Sequence, residues 1–269
     1  MISEYIISRV LLGETPRDVL TWLIEQEVSP EVLQSFRIKD ELNPVIWSKG
    51  RMRDDVRSRL MKVANSFIGT LDLDDSVEVS DVTLTGSIAN YNWSDFSDVD
   101  LHVRIKFDEV DENEKLVRNY FLAKKSLWNE KYKLDIGGIP IELYVENVGD
   151  THVASGLYSV LTNKWLVKPK KRTLQVDLDD VKTKADGFMS FLTLMRNLVK
   201  SGEYDRALSL ESQVKDNLKR LRQAGLETGG EFSVENLAFK SLRRSGYIKA
   251  IDDLATEAQE LKSMDVAKY

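Results

Sequence analysis

The stretch Thr83–Arg104, TLTGSIANYNWSDFSDVDLHVR, decides how this chain is read. A short apolar run ends in Gly86-Ser87, and residues 88–97 separate that pair from Asp98-Val99-Asp100, which opens a second apolar run. If the second run is a strand, Asp98 and Asp100 lie two positions apart and face the same side. Two carboxylates about 4 Å apart repel by roughly 4 kcal/mol at an effective dielectric of ~20. A fold keeps such a pair when a cation sits between them, and a divalent metal ion is the usual one. A Gly-Ser turn entering a helix leaves backbone N–H groups aimed outward, where phosphate binds. Together these parts equip a site for phosphoryl or nucleotidyl transfer.

The segment resembles the signature of the DNA-polymerase-beta-like nucleotidyltransferase superfamily: a strand, Gly-Ser, a helix, then Asp-x-Asp on the next strand, with a third acid on a later one. Glu142, inside Ile139-Pro140-Ile141-Glu142-Leu143-Tyr144-Val145, matches the third acid. Leu42–Trp47 (LNPVIW), Val56–Phe67 (VRSRLMKVANSF) and Gly156–Pro169 (GLYSVLTNKWLVKP) also resemble phage and prophage proteins predicted to be nucleotidyltransferases. The likeness covers about residues 42–170. It implies that Asp98, Asp100 and Glu142 are catalytic and hold Mg²⁺ or Mn²⁺, and that Gly86 and Ser87 grip the phosphates of a nucleoside triphosphate. Ser97 and His102 are further candidates for contact with nucleotide or for support of a metal ligand. Ser159, with Tyr158, is a candidate contact to triphosphate or sugar. Each has a plainer alternative: charges on a solvated strand face for the acids, a structural histidine for His102, and packing for Tyr158 and for Trp165, the latter otherwise a base-stacking residue. Asp95 reads as a loop residue, because the apolar run begins only after Asp98. Trp22, Trp47 and Trp128 read as packing residues at helical positions.

Around this centre the chain, 269 residues with 42% hydrophobic and 30% charged residues, reads as an ordinary globular composition. It has no cysteine and two histidines, His102 and His152, which excludes disulfide frameworks and His-rich zinc sites. No apolar run approaches the ~20 residues needed to span a bilayer. The N-terminus lacks the pattern of a signal peptide, and the expected location is the cytoplasm, that of a bacterial host if phage-encoded. The net charge of −6 disfavours long duplex DNA as a partner. A tRNA end, a protein, a small molecule or a second nucleotide remain as acceptors. The two basic runs, Lys168–Arg172 and the arginines Arg51, Arg53, Arg57 and Arg59, read as solvated faces rather than a nucleic-acid patch.

The expected fold is α+β: a small mixed β-sheet nucleotidyltransferase core over residues 76–176, an N-terminal helical segment over 1–75 packed on it, and a C-terminal helical domain over 177–269 that closes over the nucleotide. Thr15-Pro16-Arg17-Asp18 and Ser29-Pro30-Glu31 read as helix starts. Val56, Leu60, Val63, Ala64 and Phe67 form one helical stripe. Strands are expected over 77–84 and 99–107, a short helix over 87–92, a longer one over 111–132, and a hairpin from 132 to 146 turning at Gly137-Gly138. Two C-terminal helices follow from apolar spacing, the second ending at Gly225, with a third region over 233–263. The alternative to an enzyme is a catalytically silent nucleotide-binding module, or a phage structural or interaction protein, that retains the fold.

Overall fold

Alternation of Val99, Leu101, Val103 and Ile105 with polar residues builds the central strand of this protein, one side packed and the other polar. The computed structural model describes residues 27–150 and 154–266. The first helix start and Trp22 lie outside the described residues, as does His152. The fold is α+β, with a mixed six-stranded sheet, a two-stranded sheet and seven α-helices among the described residues. The chain divides into two compact units: Ser35–Thr173, and Met1–Gln34 with Leu174–Tyr269.

In the described part of Ser35–Thr173, a small hairpin comes first, β1 (Trp47–Ser48) with β2 (Arg51–Met52). Residues 47–52 therefore form a hairpin, turning at Lys49-Gly50, where the sequence reads as helical, and Trp47 lies on a strand. A helix follows over Asp54–Ile68 and buries Val56, Leu60, Ala64 and Phe67, the expected stripe. The sheet strands are β3 (Val79–Thr85), β4 (Val99–Ile105), β5 (Asp135–Ile136), β6 (Ile139–Asn147), β7 (Leu157–Ser159) and β8 (Lys164–Val167), in the order β5-β6-β4-β3-β7-β8. β4 pairs antiparallel with β3 and parallel with β6. A parallel neighbour needs a crossover, which the helix over Glu114–Lys131 supplies, capped by the Asn113 side chain accepting from Leu116 N–H. Gly137-Gly138 turns the β5–β6 hairpin as expected. The short helix after Gly86 is a single 3₁₀ turn, Ser87–Ala89. β7 is a strand that local alternation does not announce.

One sheet face carries Val82, Leu84, Val99, Leu101, Val103, Ile105, Ile141 and Leu143 into a core with Phe67, Phe121 and Trp128. Trp128 meets Phe67 edge-on at 5.4 Å, which bears out its packing role. The other face presents Asp100, His102 and Arg104 on β4 against Glu142, Tyr144 and Glu146 on β6, pair by pair in register. On β3, Thr85, Thr83 and Asp81 continue the same polar rows.

In the other unit, Pro30–Gln34 is a short helix, with Ser29 Oγ accepting from Val32 N–H at 3.3 Å. Helices Leu178–Lys200, Tyr204–Thr228, Val234–Arg244 and Tyr247–Val266 pack together. Gly225 does not end the second of these. It is buried inside it, and a Cβ there would come within 2.8 Å of Ser233 Oγ, Glu235 Cβ and Asn236 N. Close approach of the next helix demands that glycine, and the break comes at Gly229-Gly230. No helix among the described residues is long and apolar enough to cross a membrane.

Candidate metal and phosphate site

The parallel pairing of β4 with β6 sets Asp100 directly beside Glu142. Asp98 lies one residue before β4, not on it, and its carboxylate still turns to the same place. One oxygen from each of Asp98, Asp100 and Glu142 lies within 4.8 Å of the others, and all three residues are half-buried. Carboxylates so close repel wherever they carry charge together, and partial burial sharpens the repulsion. All the donors are oxygens, which suits a hard cation such as Mg²⁺ or Mn²⁺ and not a thiophilic metal.

The Gly-Ser turn abuts this triad. Thr85, the last residue of β3, is paired with Asp100, so Gly86 follows immediately over the acids. Gly86 has φ 79° and ψ −164°, a conformation that essentially only glycine adopts. A Cβ on it would lie 2.2 Å from Asp100 Oδ2. The backbone therefore approaches the carboxylate as closely as a missing side chain allows. The first N–H groups of a helical turn have no partner inside it, and Ser87 and Ile88 open this one. Its shape is held from both sides: Ser87 Oγ and Ser97 Oγ are hydrogen-bonded at 2.8 Å, and Trp47 Nε1 donates to Ile88 O at 2.8 Å. Ser97 Oγ also accepts from Ser94 N–H at 2.9 Å. Ser97, directly before Asp98, thus ties the Gly-Ser turn to the segment that leads into the acids.

Behind the acids runs a polar row. Tyr144 Oη donates to Glu142 Oε2 at 2.6 Å. Burial, then the hydrogen bond to Glu142, then the nearby charges of Asp100, Glu142 and Asp98 hold the Tyr144 phenol well above its ordinary pKa. It stays protonated and acts as a fixed donor. His102 stacks on the Tyr144 ring at 4.8 Å, and its Nδ1 lies 3.2 Å from Glu146 Oε2. His102 is on the expected face but one pair deeper than the acids, and it orders Tyr144.

Ser159 is not brought to the acids. It is fully buried, donates to Asp81 Oδ1 at 2.7 Å and accepts from Thr162 N–H and Oγ1. Its place beside Thr83, rather than Thr85, sets it one row below the level of Asp100. Tyr158 and Trp165 are packing residues: Trp165 stacks on Trp47 at 4.6 Å and Tyr158 is wholly enclosed. Three residues of the basic runs are engaged locally. Arg57 donates to Val160 O and Leu161 O, Arg53 pairs with Asp55, and Lys171 pairs with Asp40.

Sequence reasoning missed Tyr144 and Asn129. Tyr144 follows Glu142 by two positions, so strand alternation alone could have placed it on the acid face. Asn129 carried no signal. Its amide donates to Leu143 O and accepts from Leu143 N–H, both at 3.1 Å, in place of a neighbouring strand. With Leu134 O accepting from Ile141 N–H, β6 is fastened on both sides of Glu142.

No protein-family model matches the chain, and no curated protein matches it. The functional reading stands on the residues and their geometry.

Proposed function

We propose that this chain is a metal-dependent nucleotidyltransferase of the polymerase-beta-like kind. It moves a nucleoside monophosphate from a nucleoside triphosphate to an acceptor hydroxyl and releases pyrophosphate. The observation that carries this reading is the convergence of Asp98, Asp100 and Glu142 within 4.8 Å on one sheet face. The glycine turn pressed against Asp100 supports it.

Asp98, Asp100 and Glu142 would hold Mg²⁺ or Mn²⁺, which neutralises the triphosphate and makes the acceptor hydroxyl more acidic. The N–H groups of Ser87 and Ile88 and the Ser87 hydroxyl donate to the phosphates that become pyrophosphate. The acceptor oxygen forms a bond to the α-phosphorus. The bond from that phosphorus to the bridging oxygen breaks, and pyrophosphate leaves with the electron pair. Glu142 takes the hydroxyl proton, held in position by Tyr144.

The test is incubation with each α-labelled nucleoside triphosphate in Mg²⁺ or Mn²⁺, with and without tRNA and cell lysate, beside the Asp98→Asn/Asp100→Asn variant. Label entering a new product only with intact acids is expected. Metal-dependent nucleotide binding without any transfer would overturn the enzyme reading and leave a silent binding module.

A further inference from the structure

We propose that the cleft beside Glu142, between the second half of the Glu114–Lys131 helix and the β5–β6 hairpin, binds the acceptor, and that the acceptor is a small hydroxylated anion. This rests on the nucleotidyl-transfer reading above. The cleft has a volume of about 670 Å³, which suits a small molecule. Glu142 is the one member of the triad in its wall. At the other end of the triad, Gly86 presses on Asp100. The strand order β6-β4-β3 thus sets cleft, acids and phosphate turn in a row across the sheet. In phosphoryl transfer the attacking and leaving oxygens stand roughly in line on opposite sides of phosphorus. With pyrophosphate at Gly86-Ser87, the attacking hydroxyl arrives from the cleft and passes its proton to Glu142.

The charge of the ligand follows from Lys125. Its ammonium lies 3.7 Å from the centroid of the Tyr144 ring, the same tyrosine that donates to Glu142. Among the described residues no carboxylate lies within ion-pair distance of Lys125. Lys125 is half-buried, so its charge is felt more strongly than that of a solvated lysine. The cleft's other lysine, Lys133, donates to Asn129 O. Of its remaining acids, Asp135 accepts from Gly138 N–H and Glu130 is exposed. An anion entering this cleft meets the like charge of Glu142 in the wall, with Asp98 and Asp100 beyond it, and needs a cation nearby, which is where Lys125 stands. A phosphate or carboxylate on Lys125 leaves a hydroxyl on the same small molecule within reach of Glu142.

The test is acylation of lysines by an amine-reactive reagent, read by mass spectrometry on the whole protein. Adenosine monophosphate, glucose 6-phosphate and gluconate are compared with adenosine and glucose. Slower labelling of Lys125 by at least one of the anions, phosphates and carboxylate read separately, is expected, with neither neutral compound protecting and exposed Lys49 unchanged as control. In transfer assays, Lys125→Met raises the KM for the protecting anion about tenfold, roughly 1.4 kcal/mol, and leaves the KM for the triphosphate unchanged. No protection by any anion, or equal protection by the neutral compounds, overturns the proposal. So does transfer of label to a macromolecule alone. The labelling needs no turnover, so the two readings fail separately. Protection without transfer removes the acceptor role and the enzyme reading together, whereas transfer without protection removes only the cleft.

Discussion

The backbone of Gly86 and the carboxylate of Asp100 are packed so closely that a Cβ on the glycine would stand 2.2 Å from Oδ2. Gly86 directly follows Thr85, the β3 residue paired with Asp100 on β4, and that pairing holds the glycine over the carboxylate. Gly86→Ala faces this clash and a φ of 79° together. The backbone term alone costs about 1–3 kcal/mol. The expected result is a melting temperature lowered by several degrees and loss of transfer even where the variant is fully folded. A variant that folds and turns over like the parent would remove Gly86 from the site.

Removing charge from the triad has the opposite effect on the fold. Asp98→Asn/Asp100→Asn relieves repulsion among three half-buried carboxylates. Without divalent ions its melting temperature should equal or exceed that of the parent. Mg²⁺ should stabilise the parent, by the mass-action gain of a ligand bound only to the folded state, and leave the variant unmoved. Thermal melts with and without Mg²⁺ check both. A variant that melts far below the parent would mean that the acids are structural.

Tyr144→Phe removes the donor that lies 2.6 Å from Glu142 while keeping the ring under His102. A fall in kcat of about tenfold, the weight of one hydrogen bond to a charged group, is expected with the KM for triphosphate little changed. The phenol also sets a pH dependence. Its folded pKa is raised above the unfolded value of 10.0, so the folded state holds the proton longer. The associated stability is complete below about pH 10 and is lost as pH rises beyond it. Denaturant melts between pH 9 and 11 should show a shallower alkaline decline for Tyr144→Phe; parallel curves would exclude this coupling.

In the helical unit, Gly225→Ala sets helix propensity against packing. Alanine gains up to about 1 kcal/mol over glycine in a helix interior. Its Cβ would meet Ser233 Oγ, Glu235 Cβ and Asn236 N at 2.6–2.8 Å, and one of those atoms is backbone. Overpacking of this kind costs about 1–3 kcal/mol, so packing wins and the variant should be destabilised. An increase in stability on chemical denaturation would show that the interhelical contact is looser than described.

What the sequence determines by itself here is local. Alternation at 99–105, the Gly137-Gly138 turn, the stripe over 56–67 and the spacing from Gly86-Ser87 to Asp98-Val99-Asp100 each follow from one stretch of chain, because side-chain direction repeats every two or 3.6 residues. Those periods sufficed for the α+β class, and the resemblance carried by that spacing implied Gly86, Ser87, Asp98 and Asp100 as parts of one site. Only the tertiary structure decided the partners. The β4–β6 register, which sets Glu142 beside Asp100, joins strands separated by a whole crossover helix. Had β6 slipped by one residue, Glu142 would face the apolar core. The same non-local pairing took Ser159 to Asp81, made Gly225 a packing residue instead of a helix end, and brought Asn129 and Lys125 to the edge of β6. Periodicity sets which way a side chain points. What it points at is set by burial across the whole chain, a property that no short stretch contains.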